Sequence, residues 1–290
     1  MHFTLLLQAI TNGLTLGASY ILMALGFTMI FGVLRIVNFA HGEFYMLSAF
    51  VVLMVMVKLK LNYFLAVVIA IIAVAILGFV AEEVLFRRFR DKEMEGMIAA
   101  LGLSILIQNL SQAAWGPYDL SIPSIFTGVY KIGSFFYPAE RIMVVVLSVC
   151  LMGAFYIFLK HTKSGLAIRA IAQDTEIAKV QGMRIQRLYP FAFAVGAALA
   201  AAAGAIIGPI FALNPWIGMM PMMKAFIVVI LGGIGSVPGA FLGGLILGVA
   251  ESFVSTYGTK ALADMLGFVL VICILLFKPS GLLGQSKMTR

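Results

Sequence analysis

The chain has 290 residues, of which 62% are hydrophobic and 11% are charged, and its formal net charge is +8. Ordinary soluble domains are about 25% charged, so a water-soluble fold of this composition would expose too much apolar surface. The basic residues do not form a patch interleaved with aromatic side chains, so we expect no nucleic-acid partner and attribute the charge to orientation in a membrane.

Nine apolar blocks are distributed over the whole length, and most are long enough to cross a hydrocarbon core about 30 Å thick. They predict an all-α, polytopic membrane bundle of eight or nine spans in a single transmembrane domain, 1–290. The blocks 44–57 and 224–234 are too short for a simple crossing. The approximate blocks are 5–34, 44–57, 63–86, 97–114, 141–159, 189–213, 224–234, 239–256 and 262–277.

The polar segment after the first block, Arg35 to Gly42, lies at a depth where lipid cannot satisfy exposed backbone groups, so protein or a water-filled cavity must surround it. Asn38, His41 and Glu43 therefore mark a helix break. They either pin the broken helix by hydrogen bonds or line a translocation path. We expect no metal here, because the other histidines, His2 and His161, lie far away in the chain.

Lys and Arg residues indicate which side of the membrane each loop occupies. They concentrate in the loop of Arg87 to Lys92, in the loop 160–188, and at the C-terminal end with Lys278, Lys287 and Arg290. By the positive-inside rule these regions are cytoplasmic. Because three blocks precede the first of them, the N-terminus is expected to be periplasmic and the C-terminus cytoplasmic.

Two polar features occur in the next part of the chain. Gln108 and Gln112 lie four residues apart and so share one helix face, where they either join helices or line the path. The external connection 115–140 contains Pro117, Pro123, Gly128, Gly133 and Pro138, which predicts an ordered cap.

The loop 160–188 is the long polar stretch on the predicted cytoplasmic side. Apolar residues alternate there with charged ones at helical spacing, which predicts short amphipathic helices bounded by Gly165 and Gly182. Asp174 and Glu176 suit the start of the second helix. Such helices either dock into a partner's groove or lie flat on the membrane surface.

The last third is rich in small residues, which allow helix backbones to approach closely in lipid. Gly235, Gly239 and Gly243 recur every four residues and predict close helix packing. Glu251 lies deep in the same block and is a further path candidate. Cys150 and Cys273 lie inside apolar blocks, where we expect them to be buried, and they cannot form a four-ligand zinc site.

Three motifs resemble the branched-chain amino acid permeases of ATP-binding-cassette importers, the LivH type. They are Asn38-Phe39-Ala40-His41-Gly42-Glu43, the pattern of Thr162, Gly165, Arg169, Ala170, Ala172, Asp174, Ala178 and Gly182, and the run from Gly232 to Ala240. Matches in order from about residue 8 to residue 284 cover nearly the whole chain. The resemblance implies the permease fold of such importers.

The resemblance also implies a mechanism and a set of partners. The chain would form half of a path for branched-chain or aliphatic amino acids across the bacterial inner membrane. It would pair with a second related permease, two cytoplasmic ATP-binding subunits and a periplasmic amino-acid-binding protein. In that family the loop docks on the ATPase, which assigns Gly165, Arg169, Ala170, Asp174, Ala178 and Gly182 to coupling.

The chain has no Gly-x-x-x-x-Gly-Lys-Ser/Thr phosphate cradle, so we expect it to bind no cofactor and the ATP and Mg²⁺ to be bound by a partner. It also lacks a paired nucleophile and base, so it is not expected to be an enzyme. Two alternatives remain open: a proton-coupled secondary transporter, and a permease of the same family for urea or short amides.

Overall fold

A computed structural model describes residues 2–90, 92–125, 128–132 and 135–284. Lys287, Arg290 and Gly133 therefore lie outside the described residues. Over the described ranges the chain forms eleven α-helices, a short 3-10 helix and one β-hairpin, so the all-α prediction is confirmed. The helices are α1 (His2–Leu34), α2 (His41–Val57), α3 (Tyr63–Val84), α4 (Glu93–Trp115), α5 (Ala139–His161), α6 (Lys163–Gln173), α7 (Thr175–Val180), α8 (Ile185–Ile207), α9 (Met219–Gly232), α10 (Val237–Tyr257) and α11 (Lys260–Phe277).

Seven of the described helices are long and apolar enough to cross a membrane, and two shorter apolar helices, α2 and α9, accompany them. All nine predicted blocks are therefore helical. The chain is a multi-pass membrane protein, because a soluble fold would not carry seven such helices.

α1 forms the centre of the bundle. It is about 50 Å long and packs antiparallel to α10 through small residues. A Cβ at Gly13 would lie 2.7 Å from the Cα of Val249, and one at Gly17 would lie 3.1 Å from the carbonyl oxygen of Gly244. In lipid such close backbone approach replaces the hydrophobic force that joins helices in water.

The two ends of the bundle differ in chemistry. At one end the connection between α4 and α5 forms the hairpin of β1 (Val129–Ile132) and β2 (Phe135–Pro138), and we call this the hairpin end. Tyr137 of β2 reaches Thr15 of α1, with the two side-chain oxygens 3.1 Å apart. Asn214 donates a hydrogen bond to Asp119, 2.9 Å away, so the segment after α8 closes the same end.

The opposite end, the basic end, holds the 3-10 helix Phe86–Phe89 together with α6 and α7. The buried carboxylate of Glu82 pairs with Arg90 at 2.5 Å, and Glu83 pairs with Arg87 at 2.8 Å. The guanidinium of Arg90 also lies 4.5 Å from the ring centre of Tyr189, at the start of α8. These contacts hold the end of α3 beside the start of α8.

The burial expected for the cysteines is wrong. Cys150 on α5 and Cys273 on α11 are both exposed on the outside of the chain. An apolar residue in a membrane helix can face lipid or a partner as readily as the interior, so hydropathy alone does not predict its burial.

Candidate functional site

Most of the break between α1 and α2 is buried or half-buried in protein, whereas Arg35 at its start is exposed. Asn38 is buried, and its side-chain oxygen accepts a hydrogen bond from the backbone nitrogen of Ala40 at 3.1 Å, which stabilises the turn into α2. Arg35 at the start of the break has a φ of +56°, a backbone conformation that few non-glycine residues adopt. The expectation that protein shields this polar segment is therefore confirmed from Ile36 to Gly42 but not at Arg35.

His41, the first residue of α2, joins the break to the central helix. Its Nε2 lies 3.1 Å from the carbonyl oxygen of Met23 on α1. A carbonyl oxygen only accepts, so this nitrogen carries the proton. The rings of Phe27 and Phe44 meet the imidazole edge-on, at centroid distances of 5.9 and 6.5 Å. His41 thus fixes the start of α2 part of the way along α1.

α2 and α9 begin at the same point and run in opposite directions. A Cβ at Gly42 would lie 2.5 Å from the carbonyl oxygen of Gly218, and one at Gly218 would clash with the carbonyl oxygen of Gly42. α2 runs from this contact to the hairpin end, and α9 runs to the basic end, where Gly232 meets Gly239 at the start of α10. The contact of Gly42 with Gly218, here called the junction, makes α2 and α9 two half-length helices.

Glu43 connects the half-helix α2 to α4. One of its carboxylate oxygens, Oε1, accepts from the hydroxyl of Ser104 at 2.9 Å and from the amide of Gln108 at 2.7 Å. Gln112, one turn further along α4, is exposed. The structure therefore brings Glu43 and Gln108 together and leaves Gln112 on the outer surface of the chain.

Glu251 belongs to a buried charge cluster that the sequence analysis missed. Lys224 of α9, with 4% of its surface exposed, lies 3.1 Å from Glu251 of α10 and 3.1 Å from Asp264 of α11. The predicted apolar block 224–234 begins at Lys224. The helix in fact starts at Met219 with Pro221 in its first turn, where proline is tolerated.

Within the described residues no group of three or more His, Cys, Asp and Glu side chains could bind a metal ion. The charge cluster also holds a lysine, whose positive charge would repel a cation. The polar contacts of these side chains therefore connect neighbouring helices. The residues are Glu43, Lys224, Glu251 and Asp264.

The predicted amphipathic loop forms α6 and α7, and both helices have side-chain caps. The hydroxyl oxygen of Thr162 accepts from the backbone nitrogen of Gly165 at 3.0 Å, and Asp174 accepts from that of Ile177 at 3.0 Å. Ala178 is buried against the bundle, and Ala170 is half-buried. The expected starting role of Asp174 is therefore confirmed.

The apolar side chains of α7 that remain uncovered lie on its outer face. Val180 is 87% exposed and Ile177 is 60% exposed. Gly182 follows with a φ of +78°, and no atom lies within 4 Å of where its Cβ would be. Gly165 has no such open space around it, because a side chain there would collide with the backbone of Phe158 and Leu159.

Two of the three glycines predicted to pack helices do so. A Cβ at Gly239 would clash with Gly232, and one at Gly243 would lie 2.8 Å from the carbonyl oxygen of Val228. The prediction is wrong for Gly235, which lies in the turn before α10 with a φ of +81° and open space around it. Its backbone conformation, which favours glycine, is the reason for a glycine there.

Comparison with known proteins gives consistent matches. Residues 9–275 match the family model described as the permease component of the branched-chain amino acid transport system. The chain is 38% identical to the high-affinity branched-chain amino acid transport system permease protein LivH of Salmonella typhimurium, over 100% of this chain and 99% of that protein.

More distant relatives carry related names. The chain is 34% identical to the permease protein BraD of Pseudomonas aeruginosa, over 98% and 97% of the two chains. It is 26% identical to a probable branched-chain amino acid transport permease protein LivM of Methanocaldococcus jannaschii, over 76% and 68%. No solved structure gives a significant match.

Proposed function

Because the chain belongs to the family of permease components of branched-chain amino acid transport systems, we propose that it is the membrane subunit of an ATP-driven importer of branched-chain or other aliphatic amino acids. The observation that carries the proposal beyond the family is the uncovered apolar face of α7. Ile177 and Val180 project from a capped, ordered helix at the basic end, and such a face is typical of a helix that docks into a partner.

The partner at this face is proposed to be a cytoplasmic ATP-binding subunit. The chain has no phosphate-binding motif of its own, so ATP and Mg²⁺ would bind to two such subunits. Gly165, Arg169, Ala170, Asp174, Ala178 and Gly182 would shape or present the docking helices. Among them Gly182 follows α7 with a φ of +78°, a backbone conformation that glycine adopts without strain.

A second permease subunit is proposed to complete the path. Gln112 and Asn109 are exposed on α4, and an amide facing lipid would lose its hydrogen bonds to water. A path shared with another chain provides them with water or polar partners. The exposed amides therefore support the proposal that this chain lines one half of the path. In this half, α4 would contribute Gln108 and Gln112, and the helix break would contribute Asn38, His41 and Glu43.

We place the protein in the bacterial inner membrane. The lysines and arginines of α6, α7 and the loop after α3 would be cytoplasmic, and the N-terminus and the hairpin end would be periplasmic. A periplasmic amino-acid-binding protein would then deliver the substrate to the hairpin end.

The test of this function is reconstitution of the chain in proteoliposomes with the second permease, the ATP-binding subunits and the binding protein. We expect leucine, isoleucine or valine uptake that requires ATP and survives collapse of the proton gradient. The same vesicles supplied with urea and acetamide test the other substrates of the family.

A proton-coupled carrier is the second candidate, and the buried acids Glu43 and Glu251 are the observation that favours it. Uptake that ignores ATP and disappears with the proton gradient would establish that function and exclude the first. Replacing Glu251 with glutamine would then abolish uptake in the vesicles with the gradient.

A further inference from the structure

An open apolar groove lies on the outer surface of the bundle, away from the junction. It has a volume of about 740 Å³ and is bounded by α1, α5 and α10. Leu25 lies at its floor, Met152 and Phe155 line one wall, and Pro238 and Phe241 line the other. No atom lies within 4 Å of where a Cβ of Gly153 would be, so this part of α5 is open.

The groove has the length of one membrane leaflet. Its lining residues on α5 run from Val149 to Lys160, which is a distance of about 17 Å along a helix axis. Half of a hydrocarbon core is about 15 Å thick. The α10 wall consists of the first residues of that helix, Val237 to Leu242, so the groove occupies the half of the bundle nearest the basic end.

Two cations stand at the basic end of this groove. Among the described residues, Lys160 in the last turn of α5 and Arg169 on α6 are its charged lining residues, and no carboxylate lines it. In the part of the chain that the structure describes, neither residue forms an ion pair with a carboxylate. The ammonium of Lys160 contacts the Tyr156 hydroxyl at 3.4 Å. By contrast, the buried Lys224 has two carboxylates beside it.

We propose that this groove binds an anionic phospholipid of the leaflet at the basic end. One acyl chain fills the groove between α5 and α10, and the phosphate group is held by Lys160 and Arg169. Basic residues where transmembrane helices meet the cytoplasmic leaflet recognise anionic head groups in this manner. The proposal does not depend on the transported substrate.

Charge complementarity favours this occupant over the others. A zwitterionic amino acid would bring an ammonium group, and the lining offers it no carboxylate. A helix of another protein would fill the apolar part but would have to supply two acidic residues at one depth. An anionic lipid supplies the chain and the negative charge together.

Photo-crosslinking in nanodiscs tests the proposal on the full-length chain assembled with its second permease. The probes are phosphatidylglycerol and phosphatidylcholine, each with a diazirine on one acyl chain, and mass spectrometry maps the labelled residues. We expect phosphatidylglycerol to label Met152, Gly153 and Phe241 preferentially. The double variant K160Q/R169Q should reduce that labelling about tenfold and leave the phosphatidylcholine labelling unchanged.

The control variant K163Q/R184Q removes two other cations from the basic end and should retain the wild-type labelling. Gly153→Phe keeps both groove cations but fills the cavity, and should remove the labelling by both lipids. Equal labelling by the two lipids, or equal loss in both double variants, would overturn the recognition of an anionic head group. Labelling of the second permease by both lipids with none at Met152, Gly153 or Phe241 would overturn the proposal outright.

Discussion

The junction of the two half-helices and the α6–α7 pair differ in how far this chain covers them. At the junction the backbones of Gly42 and Gly218 meet without room for a methyl group. On α7, Ile177 and Val180 remain uncovered although the helix is capped at Asp174. The junction is therefore packed within this chain, whereas the outer face of α7 is available to the proposed partner.

This difference separates two kinds of expected effect. Substitutions around the junction should lower the stability of the chain itself, because they disturb contacts that already exist. Substitutions on the outer face of α7 should leave the stability of the chain unchanged and should reduce the uptake that depends on docking to a partner.

The largest loss of stability is expected at Lys224. Changing Lys224→Met leaves the buried Glu251 and the half-buried Asp264 without their counter-charge, and should cost about 3–5 kcal/mol of unfolding free energy. Thermal or denaturant unfolding in detergent measures it. The exposed pair of Lys92 and Glu95 provides the control, because Lys92→Met should change stability by less than about 1 kcal/mol.

A triple variant decides whether charge is the cause. K224M/E251Q/D264N removes all three charges together and should recover most of the stability lost in K224M. If the triple variant is as unstable as the single one, packing and not charge holds α9 to α10 and α11.

The next effect is expected at the junction itself. Gly218→Ala places a methyl group against the carbonyl oxygen of Gly42 and should cost about 1–3 kcal/mol or more. Gly153→Ala is the matched change on an open helix surface and should be neutral or stabilising by about 0.5–1 kcal/mol. Equal unfolding temperatures for the two variants would contradict the close approach of α2 and α9.

A smaller effect is expected at Glu43. Glu43→Ala leaves the donors of Ser104 and Gln108 unpaired and should cost about 1–3 kcal/mol, whereas Glu43→Gln keeps one acceptor oxygen and should cost less. Amino acid uptake by the two variants separates a pinning role from a path role. Normal uptake by the glutamine variant means that Glu43 pins α2, and loss of uptake with retained stability means that its charge serves transport.

The smallest effect on stability is expected at Gly182. Asparagine tolerates the left-handed backbone better than valine does, so Gly182→Asn should fold and transport nearly as the wild type. Gly182→Val should lose coupled uptake, with about 1–2 kcal/mol of local strain. Uptake that falls equally in both variants would show that any side chain blocks the approach of a partner.

Much of this arrangement follows from the sequence. Hydropathy predicts all nine apolar helices, and the amphipathic pattern after residue 160 predicts α6 and α7 with the Asp174 cap. The periodicity of apolar residues predicts these helices because each helix keeps the same surroundings along one face. The break at Asn38 is also predictable, since polar backbone at membrane depth must be enclosed.

The rest depends on contacts between residues far apart in the chain. The pairing of Lys224 with Asp264 and the meeting of Gly42 with Gly218 arise from the packing of α9 against α2, α10 and α11, for which one sequence has no local signal. Gly235 and Gly239 look identical in a four-residue repeat. One is needed for its positive φ and the other for close packing, and only the backbone conformation separates them.

The docking of α7 on an ATP-hydrolysing subunit is tested most directly by site-specific cross-linking in the assembled transporter. Cys150 and Cys273 are exposed, so both are first replaced by alanine, and single cysteines are then introduced as V180C and M94C. Met94 is the matched control because it is 76% exposed at the start of α4 near the basic end. We predict that V180C cross-links to the ATP-binding subunit and M94C does not; equal cross-linking from both positions, or none from V180C, would contradict the docking of α7.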